Sequence, residues 1–311
     1  MTFRRWIARL ALGLSLAALP ACKPQPQPAA PTPQPGATAA ATRDADPALW
    51  VVRDPDTTIY LFGTVHMLRP GLSWFDEAVR KAFDASDMLV LELVMPPPAE
   101  MQQIVAEVGM RHAEGSLPDE IGPAETGRLR AALTRYGLAP DALDQTRPWL
   151  AATMLGAAPL RQLGYDDKDG AEAVLADAAR AKHKPVIGLE TARQQFGYFD
   201  SLPRPAQRAL LSRTIDELPT TGATIDRMVA AWSAGDADTI ARLMNDDIAG
   251  SPELAEALLV RRNRNWARWI AARLHAPGTV FVAVGAGHLA GPQSVQAELA
   301  RQGIKAERVA Y

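Results

Sequence analysis

The chain has 311 residues, a formal net charge of −2 and a hydrophobic content of 48%. A near-neutral chain without a clustered basic face is not typical of nucleic-acid-binding proteins, which neutralise phosphates with such a face. We therefore expect no nucleic-acid partner. The roughly 265 residues that follow the N-terminal region suffice for one large α/β domain or two small ones.

The first 22 residues have the parts of a bacterial secretory signal. Three arginines precede a short apolar run, Leu10 to Leu19, which is too short to span a bilayer comfortably. The run leads into Leu19-Pro20-Ala21-Cys22, which resembles a lipobox, and Cys22 is the only cysteine. This position predicts a lipoprotein signal over 1–22, with Cys22 as the lipidated N-terminus of the mature chain. The alternative is an ordinary cleavable signal with an incidental cysteine.

Residues 23–47 are rich in Pro, Gln and Ala and predict a disordered tether, because this composition cannot bury a core. Lys23 follows the cysteine, and the absence of Asp there favours the outer membrane by analogy with lipoprotein sorting. We therefore expect a globular domain over 48–311 that a lipid anchor holds at the membrane of the cell envelope, facing the periplasm.

The globular region opens with two β-rich runs, 49–53 and 57–62, around an Asp/Pro turn, which predict a hairpin. A helix is expected to start at Ser73, with Asp76 completing a weak capping box. The strand over 88–93 that follows would complete a βαβ unit, whose strands should be parallel.

A helical pattern covers residues 99–182 and predicts a helical insertion ahead of a third strand over 184–189. The best-marked later helix has Ser251 as its N-cap. A fourth strand is expected to end at His288, and 304–311 to form a final one. These elements predict an α/β fold with a central, mostly parallel but mixed sheet flanked by helices.

Four apolar segments of the chain each lead into a potential ligand or acid–base group. These groups are His66, Glu92, Glu190 and His288. Each segment is typical of a buried strand with a polar residue at its C-terminal end. Because ligands bind at the C-terminal ends of parallel strands, two imidazoles and two carboxylates at this edge predict a metal or acid–base site.

The two histidines share one local pattern: an apolar strand, Gly, two residues, then His. The segments are Gly63-Thr64-Val65-His66 and Gly285-Ala286-Gly287-His288. The alternative is that each His caps a strand or pairs with a backbone carbonyl. For Glu92 and Glu190, the alternative is a structural ion pair, because a buried carboxylate needs a cation or strong donors.

Arg262 lies in the apolar stripe of a helix that also carries Trp266. It is either a snorkelling side chain on a core helix or a guanidinium directed at a carboxylate of Glu92, Glu190 or the substrate. The sequence leaves both readings open.

Four segments together resemble the TraB/GumN family, which includes the Tiki-type metalloproteases of animals. They are Tyr60–His66, Gly188–Thr191, Arg262–Trp266 and Val284–Leu289, and the resemblance runs from about Leu49 to Tyr311. It implies an α/β fold similar to erythromycin-esterase and ChaN-like proteins. It also implies a divalent-metal site around His66 and His288.

In that site Glu92 and Glu190 would serve as ligand or base, and Arg262 and Asn263 would orient substrate. Zn, Mn or Co fits two His and one Glu. The resulting expectation is a metal-dependent, peptidase-like hydrolase acting on a peptide or protein, with Arg262 stabilising the developing oxyanion. The rival is a non-catalytic, lipid-anchored module that captures a peptide or signal molecule. Esterase or other non-peptide hydrolase chemistry is a third option.

Overall fold

A computed structural model describes residues 42–112, 115–245 and 251–311. The predicted signal sequence, Cys22 and most of the predicted tether lie outside these residues. Within the described ranges, no helix is both long and apolar enough to cross a membrane.

The chain has an α/β fold built on a six-stranded mixed sheet and a separate two-stranded parallel sheet. The strands are β1 (Arg43–Asp44), β2 (Leu49–Arg53), β3 (Thr57–Thr64), β4 (Leu72–Ser73), β5 (Met88–Leu93), β6 (Val186–Glu190), β7 (Gly278–Gly285) and β8 (Glu307–Arg308). The large sheet has the order β6-β5-β7-β3-β2-β8. Its first four strands are parallel, and β2 is antiparallel to both of its neighbours. The prediction of a mostly parallel, mixed sheet is confirmed.

Helices connect the strands and cover both faces of the sheet. They are α1 (Glu77–Ala85), α2 (Pro98–Val108), α3 (Leu117–Arg135), α4 (Pro148–Gln162), α5 (Ala171–Ala181), α6 (Ala192–Asp200), α7 (Arg204–Glu217), α8 (Thr221–Ser233), α9 (Ala237–Met244), α10 (Pro252–Ala255), α11 (Arg261–Arg273) and α12 (Val295–Arg301). Helices α2 to α5 lie between β5 and β6, where the sequence predicts a helical insertion.

The sheet is buried on both faces by apolar side chains. On one face, Phe62, Trp74 and Phe281 pack together, with Phe62 and Trp74 stacked at 5.5 Å between ring centroids. On the other face, Trp266 of α11 packs with residues of β7 such as Val282. Burial of β7 on both sides explains its continuous apolar sequence, since a central parallel strand has no solvent-facing side.

A third core joins helices α2, α3, α4, α6 and α7. Trp149 of α4 is fully buried there and stacks on Phe199 of α6 at 5.7 Å between ring centroids. This helical core lies next to the ends of β5 and β6, so it borders the sheet edge where the site is predicted.

Three predicted element boundaries are wrong, each because of a contact that is distant in sequence or a local change of winding. Ser73 does not start a helix, because it pairs with Asp44 in the two-stranded sheet, and α1 begins at Glu77. The final strand shrinks to β8. His288 does not end a strand: β7 ends at Gly285, and a 3₁₀ turn over Ala286–Leu289 carries His288.

Two further expectations are modified. The predicted βαβ unit has parallel strands, but β7, from far along the chain, lies between β3 and β5. The helix expected from Ser251 is interrupted by a π-helical turn over Glu256–Val260, between α10 and α11. The Ser251 side chain makes no capping hydrogen bond.

Candidate functional site

The four predicted site residues lie together at the C-terminal edge of the parallel strands. Glu92 is the penultimate residue of β5 and Glu190 the last residue of β6. His66 follows β3 by two residues, and His288 lies in the turn after β7. All four are less than 10% exposed, so each charge or lone pair there must be satisfied by the protein or by a ligand.

Arg262 joins the two glutamates. Its Nη2 donates to Glu92 Oε2 at 2.6 Å and to Glu190 Oε2 at 2.9 Å, and its Nε donates to Glu190 Oε1 at 2.9 Å. The two carboxylates outweigh the effect of burial and raise the pKa of Arg262, so it is always charged. Of the readings left open by the sequence, the structure has the guanidinium directed at both carboxylates.

The position of Arg262 follows from the local winding of its helix. The π-helical turn ends at Val260, directly ahead of α11, and such turns are frequent at functional sites. The guanidinium carbon lies 4.7 Å from the Trp266 ring centroid and 5.8 Å from that of Tyr198. The two rings therefore flank the buried cation and add cation–π attraction.

His288 is a neutral hydrogen-bonding group in this network. Its Nδ1 lies 2.6 Å from Asn263 Oδ1, and its Nε2 lies 3.1 Å from Arg262 Nη1. These partners assign the proton to Nδ1, because the guanidinium can only donate. Burial and the Arg262 charge lower the pKa of His288 to about 3.

Asn263 acts through His288 in the structure. It is fully buried, and its Nδ2 donates to the Gln293 carbonyl at 2.6 Å while its Oδ1 accepts from His288. The sequence suggested that Asn263 orients substrate. Because Asn263 is fully buried, the structure has it positioning His288 and gives it no exposed atom for a substrate.

His66 has a partner that the sequence analysis missed. Its Nδ1 lies 2.6 Å from Glu172 Oε1, on the first turn of α5, and the Thr64 hydroxyl donates to the same carboxylate oxygen. Burial opposes the charged imidazolium, but Glu172 and then Glu92 outweigh it and raise the pKa of His66. Its Nε2 is buried and has no hydrogen-bond partner among the described residues.

Gly285 leaves room between the two halves of the site. A Cβ at this position would lie 3.1 Å from Glu92 Oε1 and 3.8 Å from His66 Nε2. The backbone N–H of Gly285 donates to Glu92 Oε1 at 2.6 Å. Glycine at position 285 therefore lets Glu92 and His66 lie close to the strand backbone. Any side chain there would fill the space that His66 Nε2 faces.

The pKa values of the two glutamates are shifted in opposite directions. Burial disfavours the Glu92 carboxylate, but Arg262, both histidines and the Gly285 N–H lower its pKa to about 2. Gln195 also donates to Glu92 Oε2 at 3.1 Å. Burial raises the pKa of Glu190, with the neighbouring Glu92 charge adding to it against Arg262. Glu92 is thus a fixed anion, and Glu190 is the carboxylate better placed to carry a proton.

The predicted metal centre does not fit the side chains as they are arranged. Arg262 takes both oxygens of Glu190, one oxygen of Glu92 and Nε2 of His288, which leaves His66 Nε2 as the only uncommitted nitrogen of the predicted ligand set. In the described ranges, no group of three or more His, Cys, Asp or Glu side chains is placed to hold a metal ion. Metal binding stays a prediction.

Two site residues had no role in the sequence analysis, and one of them has a readable signal. Gln195 lies one turn into α6, which starts directly after Glu190 with a capping box between Thr191 and Gln194. That capping box is visible in the sequence and places Gln195 in the first turn of a helix that begins just after β6. Glu172 has no such signal, because its contact with His66 depends on how α5 packs against the loop after β3.

The chain is similar to known proteins over most of its length. The sequence profile described as the TraB/PrgY/gumN family matches residues 48–308. The uncharacterized protein YbaP of Escherichia coli (strain K12) is 26% identical over 249 residues, which cover 79% of this chain and 89% of that protein. An uncharacterized protein of Treponema pallidum (strain Nichols) is 23% identical over 278 residues, covering 84% and 82% of the two chains. No solved structure matches at a comparable level of significance.

Proposed function

Because the chain belongs to the TraB/PrgY/gumN family, whose Tiki-type members cleave proteins, we propose that it is a peptidase-like hydrolase with His66 as its acid–base group. One observation carries this proposal. His66 Nε2 is buried, has no hydrogen-bond partner within residues 42–112, 115–245 and 251–311, and faces the space beside Gly285, while Glu172 holds Nδ1. Proton transfer requires an imidazole that a carboxylate orients through one nitrogen while the other nitrogen is available to the substrate.

The proposed chemistry uses the residues of this chain in distinct roles. His66 Nε2 takes a proton from the attacking water and returns it to the leaving group, and Glu172 stabilises the imidazolium formed in between. Arg262 does not serve as the oxyanion donor expected from the sequence, because each of its nitrogens already donates to a protein acceptor. It instead pairs with both buried glutamates and holds them in place.

The predicted dependence on Zn, Mn or Co is a separate part of the proposal with its own test. The proton transfers by His66 do not involve a metal. The contacts of Arg262 with the predicted ligands decide whether a cation can bind. Three of the four predicted ligands accept a hydrogen bond from Arg262, whose positive charge would oppose a cation bound beside them.

The site of action is proposed to be the cell envelope. A lipid on Cys22 would anchor the chain in the outer membrane, with the domain facing the periplasm, and the Pro-rich segment would separate the two. The substrate would then be a peptide or protein of that compartment.

The test is cleavage of a quenched-fluorescent peptide library by the full-length protein in detergent. We expect cleavage of a subset of peptides. The assay is repeated after chelation and after addition of Zn, Mn or Co: loss and recovery of cleavage would establish metal dependence, and unchanged cleavage would remove it. Folded protein that cleaves no peptide under any of these conditions would contradict the hydrolase proposal and favour a binding module.

A further inference from the structure

One edge of the central sheet is open, and it is the edge that ends in the site. Strand β6 is the terminal strand of the order β6-β5-β7-β3-β2-β8, and among the described residues it pairs with β5 alone. Its middle residues, Ile187 and Gly188, are exposed, and its last residue, Glu190, is buried against Arg262. A strand edge of this kind has unpaired backbone groups that can pair with another chain.

The strand register identifies which backbone groups face outward. Leu89 N–H donates to the Pro185 carbonyl, so Pro185 directs its carbonyl toward β5. Because backbone groups alternate along a strand, Val186 and Gly188 direct their N–H and C=O groups away from β5. In the described part of the chain, neither residue makes a hydrogen bond outside the β5 ladder.

A groove of about 750 Å³ lies at the end of this edge, between the segment after β5, helix α2 and the last residues of β6. Val94, Ile104 and Gly188 are among its lining residues, and so is Glu190. The groove therefore borders the candidate site at Glu190. Glu190 lies four residues from Val186, a distance of roughly 13 Å along a strand.

Exposed apolar side chains are concentrated at the same place. Val94, Met95 and Ile187 are 43%, 39% and 38% exposed, and they make up three of the six large hydrophobic side chains exposed in the described ranges. Apolar surface next to open strand amides is the combination that binds an extended peptide, since the backbone gives affinity and the side chains give specificity.

We propose that the β6 edge binds an extended peptide segment as an added strand, which places the peptide backbone along Val186 and Gly188 and leads it to Glu190 and the site. That the bound molecule is a peptide rests on the proposed function. Docking on β6 adds to that function where the substrate binds and in which conformation: an unfolded segment or terminus of a protein, not a folded surface.

The experiment removes one outward-facing donor without touching the sheet. Val186→Pro deletes an N–H that points away from β5, and proline is tolerated on an edge strand at such a position. Val186→Ala is the matched control, because it shortens the side chain and keeps the N–H. Both changes are made in the full-length His66→Ala protein, which keeps bound peptide intact, and a folded thermal transition is checked for each.

Binding is measured by fluorescence anisotropy with the best ligand from an array of unstructured ten-residue peptides. We expect Val186→Pro to weaken binding about tenfold and Val186→Ala about threefold or less. The same peptide with single backbone N-methyl groups should lose affinity at alternate positions, which tests the pairing even if Val186→Pro fails to fold.

Three outcomes would overturn the inference. The first is equal peptide affinity with and without Val186→Pro, together with no alternating effect of the N-methyl groups. The second is no peptide binding at all, and the third is a dimer of the chain that Val186→Pro dissociates. Failure of the proposed hydrolysis is distinguishable from these results. Peptides that bind with the expected pattern but are not cleaved would contradict only the hydrolase, and cleavage that is insensitive to the edge would contradict only the docking site.

Discussion

The two histidines share the Gly-x-x-His pattern, but the nearest charged group is an anion for His66 and a cation for His288. His66 faces the Glu172 carboxylate, which raises its pKa against the effect of burial, whereas burial and Arg262 lower the pKa of His288 to about 3. A pair of titratable groups with opposite shifts is typical of a site with divided acid–base roles. His66 is therefore the more readily protonated of the two, and His288 stays neutral and accepts a hydrogen bond from Arg262.

Glu172→Gln tests the role of the carboxylate on His66. The amide keeps the shape but loses the charge that raises the pKa of His66, so turnover of a cleaved peptide should fall by about tenfold or more. The pKa of His66 should decrease, and the acidic limb of the pH–rate profile should therefore move to lower pH. Glu307→Gln on the surface is the control. An unchanged profile in Glu172→Gln would contradict the pairing.

The sequence predicted the identity of the site residues better than their contacts. His66, Glu92, Glu190 and His288 come at the ends of apolar runs, so their position at the strand ends could be predicted from the sequence. Glu172 could not, because its contact with His66 joins residues more than a hundred positions apart through helix packing. The orientation of Arg262 depends on a π-helical turn that the helical periodicity does not indicate.

At the level of elements, His66 is positioned by close packing of the loop after β3 against the start of α5. Ala171 at the start of α5 donates its N–H to the Val65 carbonyl at 3.0 Å. A Cβ on Gly170 would lie 2.0 Å from the His66 carbonyl oxygen. The two segments therefore approach as closely as they do because residue 170 is glycine.

Gly170→Ala should push the His66 loop away from α5 and lower the free energy of unfolding by about 1–3 kcal/mol, since overpacking forces the backbone to move. Gly197→Ala in α6 is the matched control, because its Cβ would meet no atom within 4 Å. It should stabilise the protein by about 1 kcal/mol through helix propensity. Chemical denaturation measures both changes, and equal effects of the two substitutions would contradict the close-contact explanation.

The strand order could be predicted from the sequence only in part. The strands around β3, β5, β6 and β7 were predicted from their apolar runs, and their parallel direction from the helical connections. The insertion of β7 between β3 and β5 was not predicted, because pairing between distant strands depends on the whole sheet. Likewise, Ser73 has a capping pattern that its pairing with Asp44 overrides.

At the scale of the whole molecule, the family match over 48–308 follows a predicted N-terminal signal and tether. The proposed hydrolase would therefore act at a fixed surface, on chains that reach it within the length of its tether. Docking on an open strand edge suits such a protein, because it recognises unfolded segments and not one folded partner.

Cys22→Ser tests the anchor. In a bacterium that lipidates envelope proteins, the wild-type chain should be recovered in the outer-membrane fraction, because acylation supplies the hydrophobic attachment. The Cys22→Ser chain should be recovered in the soluble periplasmic fraction with its peptide cleavage unchanged. Membrane recovery of both chains would contradict the lipid anchor.

In the proposed mechanism His66 performs the proton transfers, which is tested by comparing turnover of a cleaved peptide by His66→Ala and by His275→Ala. His275 is an exposed histidine outside the site, so its loss should leave turnover unchanged. Removal of a general acid–base group should lower turnover by about 10²- to 10⁴-fold without preventing folding. Full turnover by a folded His66→Ala protein would contradict the account.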